Sequence, residues 1–105
     1  MSPHDRQNAI FNTGIAIVHY LSGRFAEAVS YGRKALQKRS GFTAGNRIYV
    51  ASLAQAGQID EARAVLARLK ETHPDLSIAW IEKHVPYTPG PMVKFIEGMR
   101  KAGLE

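Results

Sequence analysis

Cysteine is absent from the 105-residue chain. That excludes a disulfide framework and a thiolate zinc site, and a reducing, cytoplasmic setting is the expectation that fits. A long hydrophobic run is missing as well. The longest candidate, "IAIVHYLSG" from Ile15, is interrupted by His19 and Ser22, far short of the roughly 20 apolar residues that a bilayer requires. Nor does the start resemble a secretory leader, because Pro3, His4, Asp5 and Arg6 are not followed by an uninterrupted apolar core. Acidic residues are the scarcer charge, 9 against 14 basic ones, which leaves a formal net charge of +5. This balance admits acidic partners, nucleic acid or anionic lipid without selecting among them.

Catalytic and metal-binding patterns are thin. No two of His4, His19, His73 and His84 share the close helical spacing of a zinc motif. No serine, histidine and acid follow one another around an elbow motif, and Asp60 and Glu61 sit where a helix begins. Neither metal nor cofactor is expected. The basic stretch "GRKALQKRS" places Arg33, Lys34, Lys38 and Arg39 late in a helix, where cations complement the helix dipole. With no interleaved aromatics, it reads as a solvated face rather than a phosphate track.

What is present is a repeat. "GRFAEAVS" at 23–30 returns 34 residues later as "GQIDEARA" at 57–64. The same shift lays Asn12 on Asn46, Ile15 on Tyr49, Phe25 on Ile59, Ala35 on Leu69 and Ser40 on Pro74. Each unit divides at its glycine into two helical stretches. Before the turn, Phe11, Ile15, Ala16, Val18 and Leu21 spread around the helix; after it, Phe25, Ala28, Val29, Ala35 and Leu36 form one stripe. The glycine supplies a positive φ that ends the first helix, and Glu27 or Glu61 falls in the first turn of the next, where the dipole favours an acid.

This spacing resembles the tetratricopeptide repeat (TPR), a 34-residue helix-turn-helix unit. Gly23 and Gly57 match the turn glycine, Ala28 and Ala62 the small residue at the helix crossing, Ala35 the second small position and Pro74 the terminal proline. Asn12 and Asn46 depart from the usual large aromatic, Leu69 from the second small residue and Ser40 from the proline. The expected fold is all-α. Two TPR-like hairpins, about 9–42 and 43–76, form a short α-solenoid within a single domain, and a partial third repeat and capping helix fill 77–105.

The third unit opens in register with Trp80 and then fails at Lys83, His84 and Pro86. A short helix near 76–84 is expected, then a rigid turn, then a helix from Pro91 to about Ala102, with Gly103 past its end and Leu104 folded back on Met99. Its apolar face, Met92, Phe95, Ile96 and Met99, is expected to cap Val65, Leu66 and Leu69 at the open end of the second hairpin. No role is read for Glu105. At the other end, Ser2 as N-cap, Pro3 in the first helical position and Asp5 near the third start the first helix at once, as expected of a module taken from a longer protein.

A narrower resemblance lies in "HPDLSIAW", "VPY" and "FIEGMRKAGL". With the two repeats, they are similar to the extreme C-terminal region of bacterial proteins that carry an N-terminal class III adenylate or guanylate cyclase domain. The resemblance implies a non-catalytic arm of a cyclase, since no strand-rich segment offers the two metal-binding carboxylates that such catalysis uses. A similar tail occurs on winged-helix transcription regulators.

Protein binding is the function this reading expects, either of a partner or peptide or of an attached catalytic domain in cis. In the TPR family the first helix of each hairpin lines a concave groove. The matching positions are Ile10, Thr13, Ile17 and Tyr20, then Ala44, Arg47, Ala51 and Ala54, with Tyr20 and Arg47 as anchors. The subclass that clamps a peptide carboxylate is disfavoured, because Gly14 and Ile17 occupy the relevant places. The competing expectation is a spacer or self-association module, in which Phe11, Ile15 and Val18 pair with a second copy in a homodimer.

Overall fold

The structure, a computed structural model, describes residues 3–105, with side chains from Asn8 onward, so the expected Ser2 cap and the Asp5 side chain lie outside the described residues. Among those residues every regular element is an α-helix: α1 (Pro3–Leu21), α2 (Phe25–Lys38), α3 (Thr43–Gln55), α4 (Ile59–Thr72), α5 (Ile78–His84) and α6 (Pro89–Lys101). α1 packs on α2 and α3 on α4 as consecutive hairpins, and α3 also packs against both helices of the first hairpin.

The repeated phrase forms the elbow of each hairpin. Gly23 and Gly57 stand at φ +79° and +88°. At the first elbow the Gly23 N–H reaches the Tyr20 carbonyl at 3.1 Å and the Arg24 N–H reaches that of His19 at 2.9 Å. Gly57 and Gln58 repeat the pattern on Ala54 and Leu53 at 3.1 and 2.9 Å. This paired closure satisfies carbonyls that the helix end would otherwise strand. The same device ends α6: Gly103 has φ +101°, and the Leu104 N–H donates to the Met99 carbonyl at 3.0 Å.

Ala28, Ala35 and Ala62 are fully buried, and Leu69 is accommodated in the core beside Leu66 and Leu76. A further small residue, Gly32, does comparable work, since a Cβ there would sit 3.1 Å from the Tyr49 ring. Asn46 has a polar task at the aromatic's place: its amide donates to the carbonyls of Ser40 at 3.0 Å and Phe42 at 3.1 Å, holding the loop between the hairpins.

Two boundaries differ from expectation. α5 begins at Ile78, because Ser77 caps it by accepting the Trp80 N–H at 3.0 Å, which leaves Leu76 in the connector. α6 begins at Pro89, two residues early. The first turn of a helix has no use for its N–H groups, so Pro89 and Pro91 both fit there, and the fixed proline φ favours the start. Ala62→Leu is expected to lower stability by about 1–3 kcal/mol through overpacking at the α3–α4 crossing; urea denaturation with an unchanged midpoint would show that Ala62 does not sit there.

Candidate functional site

The concave face is built by the apolar sides of α1 and α3. Of the residues expected to line it, Thr13, Tyr20, Ala51 and Ala54 are buried, whereas Ile17 and Arg47 are partly buried. Ile10 is exposed and Ala44 half-buried. At Tyr20 and Ala51 the side expected to form a groove is met by α6.

α6 packs on α3 and α5. Its main seat is thus α3 rather than the α4 face expected for it, while Val65, Leu66 and Leu69 are buried in one core cluster with Leu76, Ile78, Ile81, Phe95 and Met99. The approach is close at Gly98, where a Cβ would collide with the Tyr20 hydroxyl and come within 3.0 Å of the Ala51 Cβ. Glycine inside a helix is unfavourable by about 0.5–1 kcal/mol relative to alanine, so "FIEGMRK" carried a signal of close approach that the groove reading passed over.

Polar contacts fix the position of α6. The Tyr20 hydroxyl donates to the Lys94 carbonyl at 2.6 Å and accepts from Gln55 Nε2 at 3.4 Å. Lys94 Nζ donates to the Leu21 carbonyl at the end of α1 at 3.2 Å, and Lys101 Nζ to Gln55 Oε1 at 2.6 Å. Phe95 is buried and meets the edge of Tyr87 at 5.3 Å. Glu105 has a role after all, its carbonyl accepting the Ile78 N–H at 2.9 Å. Of the capping residues, Phe95 and Met99 are fully buried, and Met92 and Ile96 are packed against the same core.

Burial pushes the Tyr20 hydroxyl up to about 12. Desolvation lowers the pKa of the Arg47 guanidinium, which lies 5.8 Å from the Trp80 ring centre. His19 is packed and hydrogen-bonded: Arg24 Nε donates to its Nδ1 at 2.9 Å, and its ring stacks on Tyr31 at 5.4 Å.

The tetratricopeptide repeat matches residues 19–80, more than half of the chain. The chain belongs to the tetratricopeptide repeat family. No curated protein and no solved structure matches it. TPR domains mediate protein–protein interactions and are typically non-catalytic. Here α1 and α3 are the first helices of successive TPR hairpins, and α6 packs on α3. No helix among the described residues is long and apolar enough to cross a membrane.

The Tyr20 contact has a measurable pH signature. In the unfolded chain a tyrosine ionises near 10, below its folded value, so the folded state holds the proton longer. Stability from this group is complete below about pH 10 and is lost as pH rises toward about 12. Tyr20→Phe is expected to lower stability at pH 8 by about 0.5–1.5 kcal/mol and to make the alkaline decline shallower. Denaturation curves with equal alkaline slopes for both proteins would contradict this placement of the hydroxyl.

Proposed function

We propose that this TPR domain is a protein-interaction module that meets its partner through the outer face of α1, and that the partner is a second copy. The observation that carries this is an equivalence between the two hairpins. Phe11, Gly14 and Val18 stand one repeat before Gly45, Ile48 and Ser52. In α3 those three are buried, and a Cβ on Gly45 would come within 3.4 Å of Leu36 on α2 and 3.1 Å of Thr13 on α1. The face that docks α3 on a hairpin is, in α1, turned to solvent: Phe11 is 68% exposed and Val18 59%.

Self-complementarity favours a second copy. Phe11 and Val18 flank Gly14, beside which a Cβ would meet nothing within 4 Å. Two α1 helices running antiparallel about a twofold axis would therefore set each Phe11 against the other's Val18 and approach closely at Gly14. No charged side chain stands between Asn8 and Val18, so such a pair buries no unpaired ion.

On the finer question of the parent, the "HPDLSIAW", "VPY" and "FIEGMRKAGL" segments support the C-terminal arm of a class III nucleotide cyclase, with pairing through α1 setting the geometry of the attached catalytic domain. The TPR tail of a winged-helix regulator is the alternative. The coding sequence upstream of Ser2 separates the two. Of the expected groove residues Thr13, Ile17, Tyr20, Arg47 and Ala51, Tyr20 and Ala51 meet α6, and we propose α6 as the occupant of that side, which leaves it to a peptide only where α6 is displaced.

Sedimentation equilibrium tests the pairing. The isolated chain is expected to be a dimer at tens of micromolar, a typical range for a small apolar interface, and Phe11→Glu a folded monomer with unchanged helical circular dichroism. A wild-type chain that remains monomeric at ten times that concentration would sink the second-copy reading.

A further inference from the structure

The side of the domain away from α6 carries a second concavity. A cleft of about 480 Å³ opens between the C-terminal halves of α2 and α4, floored by α3. Leu36, Tyr49 and Leu69 give it an apolar floor, and Arg33, Arg68 and His73 stand at its wall. The two arginines come from different hairpins, so only the stacked pair of repeats brings them to one cleft.

The arginines are not equivalent. Arg33 is positioned: its Nε donates to the Tyr49 hydroxyl at 3.3 Å, which donates in turn to Glu61 Oε2 at 2.8 Å, and its guanidinium lies 5.9 Å from the Tyr49 ring centre. Glu61 also stands 3.9 Å from an Arg33 terminal nitrogen, which partly neutralises it. Arg68 has no ion-pair partner among the described residues. Lys38 and Arg39 extend the positive charge along the end of α2. The cleft therefore combines a cationic wall with an apolar floor, the pairing of shape and charge by which a pocket fixes the orientation of an amphipathic ligand.

We propose that the α2–α4 cleft is a docking site for an acidic, amphipathic protein segment, which sets a carboxylate against Arg68 and Arg33 and an apolar side chain against Leu36. Charge complementarity identifies the partner: the bidentate guanidinium suits a carboxylate, and the apolar floor selects a side chain that a bare anion lacks. Nucleic acid is the poorer fit, because Tyr49 is buried and offers no face on which a base could stack, whereas the half-buried Leu36 can still take an apolar side chain. The site shares no residue with the α1 face or with the contacts of α6, so it stands whether or not the chain dimerises.

The probe is a synthetic fluorescein-labelled peptide alternating glutamate with leucine, titrated into the full chain and followed by anisotropy and by backbone amide shifts. Saturable binding is expected, with shifts confined to α2, α4 and Tyr49, and with the glutamine counterpart of the peptide failing to bind. Arg68→Glu is expected to weaken binding about tenfold, the scale of reversing one charge at an interface rim. Lys70→Glu, an equal charge change at an exposed position outside the cleft, is expected to leave affinity within about twofold. Equal weakening by both variants would mean attraction to net charge alone and would overturn the proposal. So would shifts centred elsewhere, or a labelled DNA duplex that binds the same residues more tightly than the peptide. Helical circular dichroism and an unaltered melting temperature verify that each variant is folded.

Discussion

Gly98 of α6 faces Ala51 of α3 with no side chain between them, and beside it the buried Tyr20 of α1 donates its hydroxyl to the Lys94 carbonyl at 2.6 Å. Most of the concave side depends on this crossing. Small residues permit the close approach of two helices, and once that approach is made, Phe95 and Met99 enter the core. Tyr20 loses its water there, which is affordable only because its hydroxyl has both a donor and an acceptor nearby. Removing the Cβ at position 98 and burying a hydroxyl at position 20 are thus two halves of one arrangement, separated by most of the chain.

The consequence for function is a redistribution of surfaces. A TPR domain of two hairpins has a concave side, an opposite side and two ends. α6 packs on α3, and Val65, Leu66 and Leu69 are buried in the common core. Among the surfaces that stay open are the outer face of α1, apolar and without charge from Asn8 to Val18, and the cleft between α2 and α4, cationic at its wall. The two differ in chemistry as well as position: the first suits another apolar helix, the second an acidic segment. On the two proposals made above, a module with both would join copies of itself while holding a partner.

Local rules made the hairpins legible. The repeated glycine, the alanine five residues on and the shift of 34 gave the all-α TPR architecture, because the elbow closures at Gly23 and Gly57 involve only residues adjacent in sequence. Even Gly103 and Leu104 followed the same local logic. The destination of α6 was another matter. Its apolar face was plain from Met92, Phe95, Ile96 and Met99, but such a face names no partner, and the nearest open end in sequence was the wrong one. The deciding pair, Gly98 with Tyr20 and Ala51, spans a long separation, and periodicity does not report on contacts of that kind. Asn46 was opaque for a related reason: it departs from the aromatic of the repeat because its amide ties down the loop at Ser40 and Phe42.

The occupancy of the concave side can be read directly by nuclear Overhauser spectroscopy on the full chain. Strong cross-peaks are expected between the Gly98 α-protons and both the Tyr20 ring and the Ala51 methyl group, together with contacts from Phe95 to Tyr87. If Gly98 shows no cross-peak to Tyr20 or Ala51, and Phe95 instead contacts Leu66 or Leu69 on α4, then α6 caps the far end and the concave groove is open.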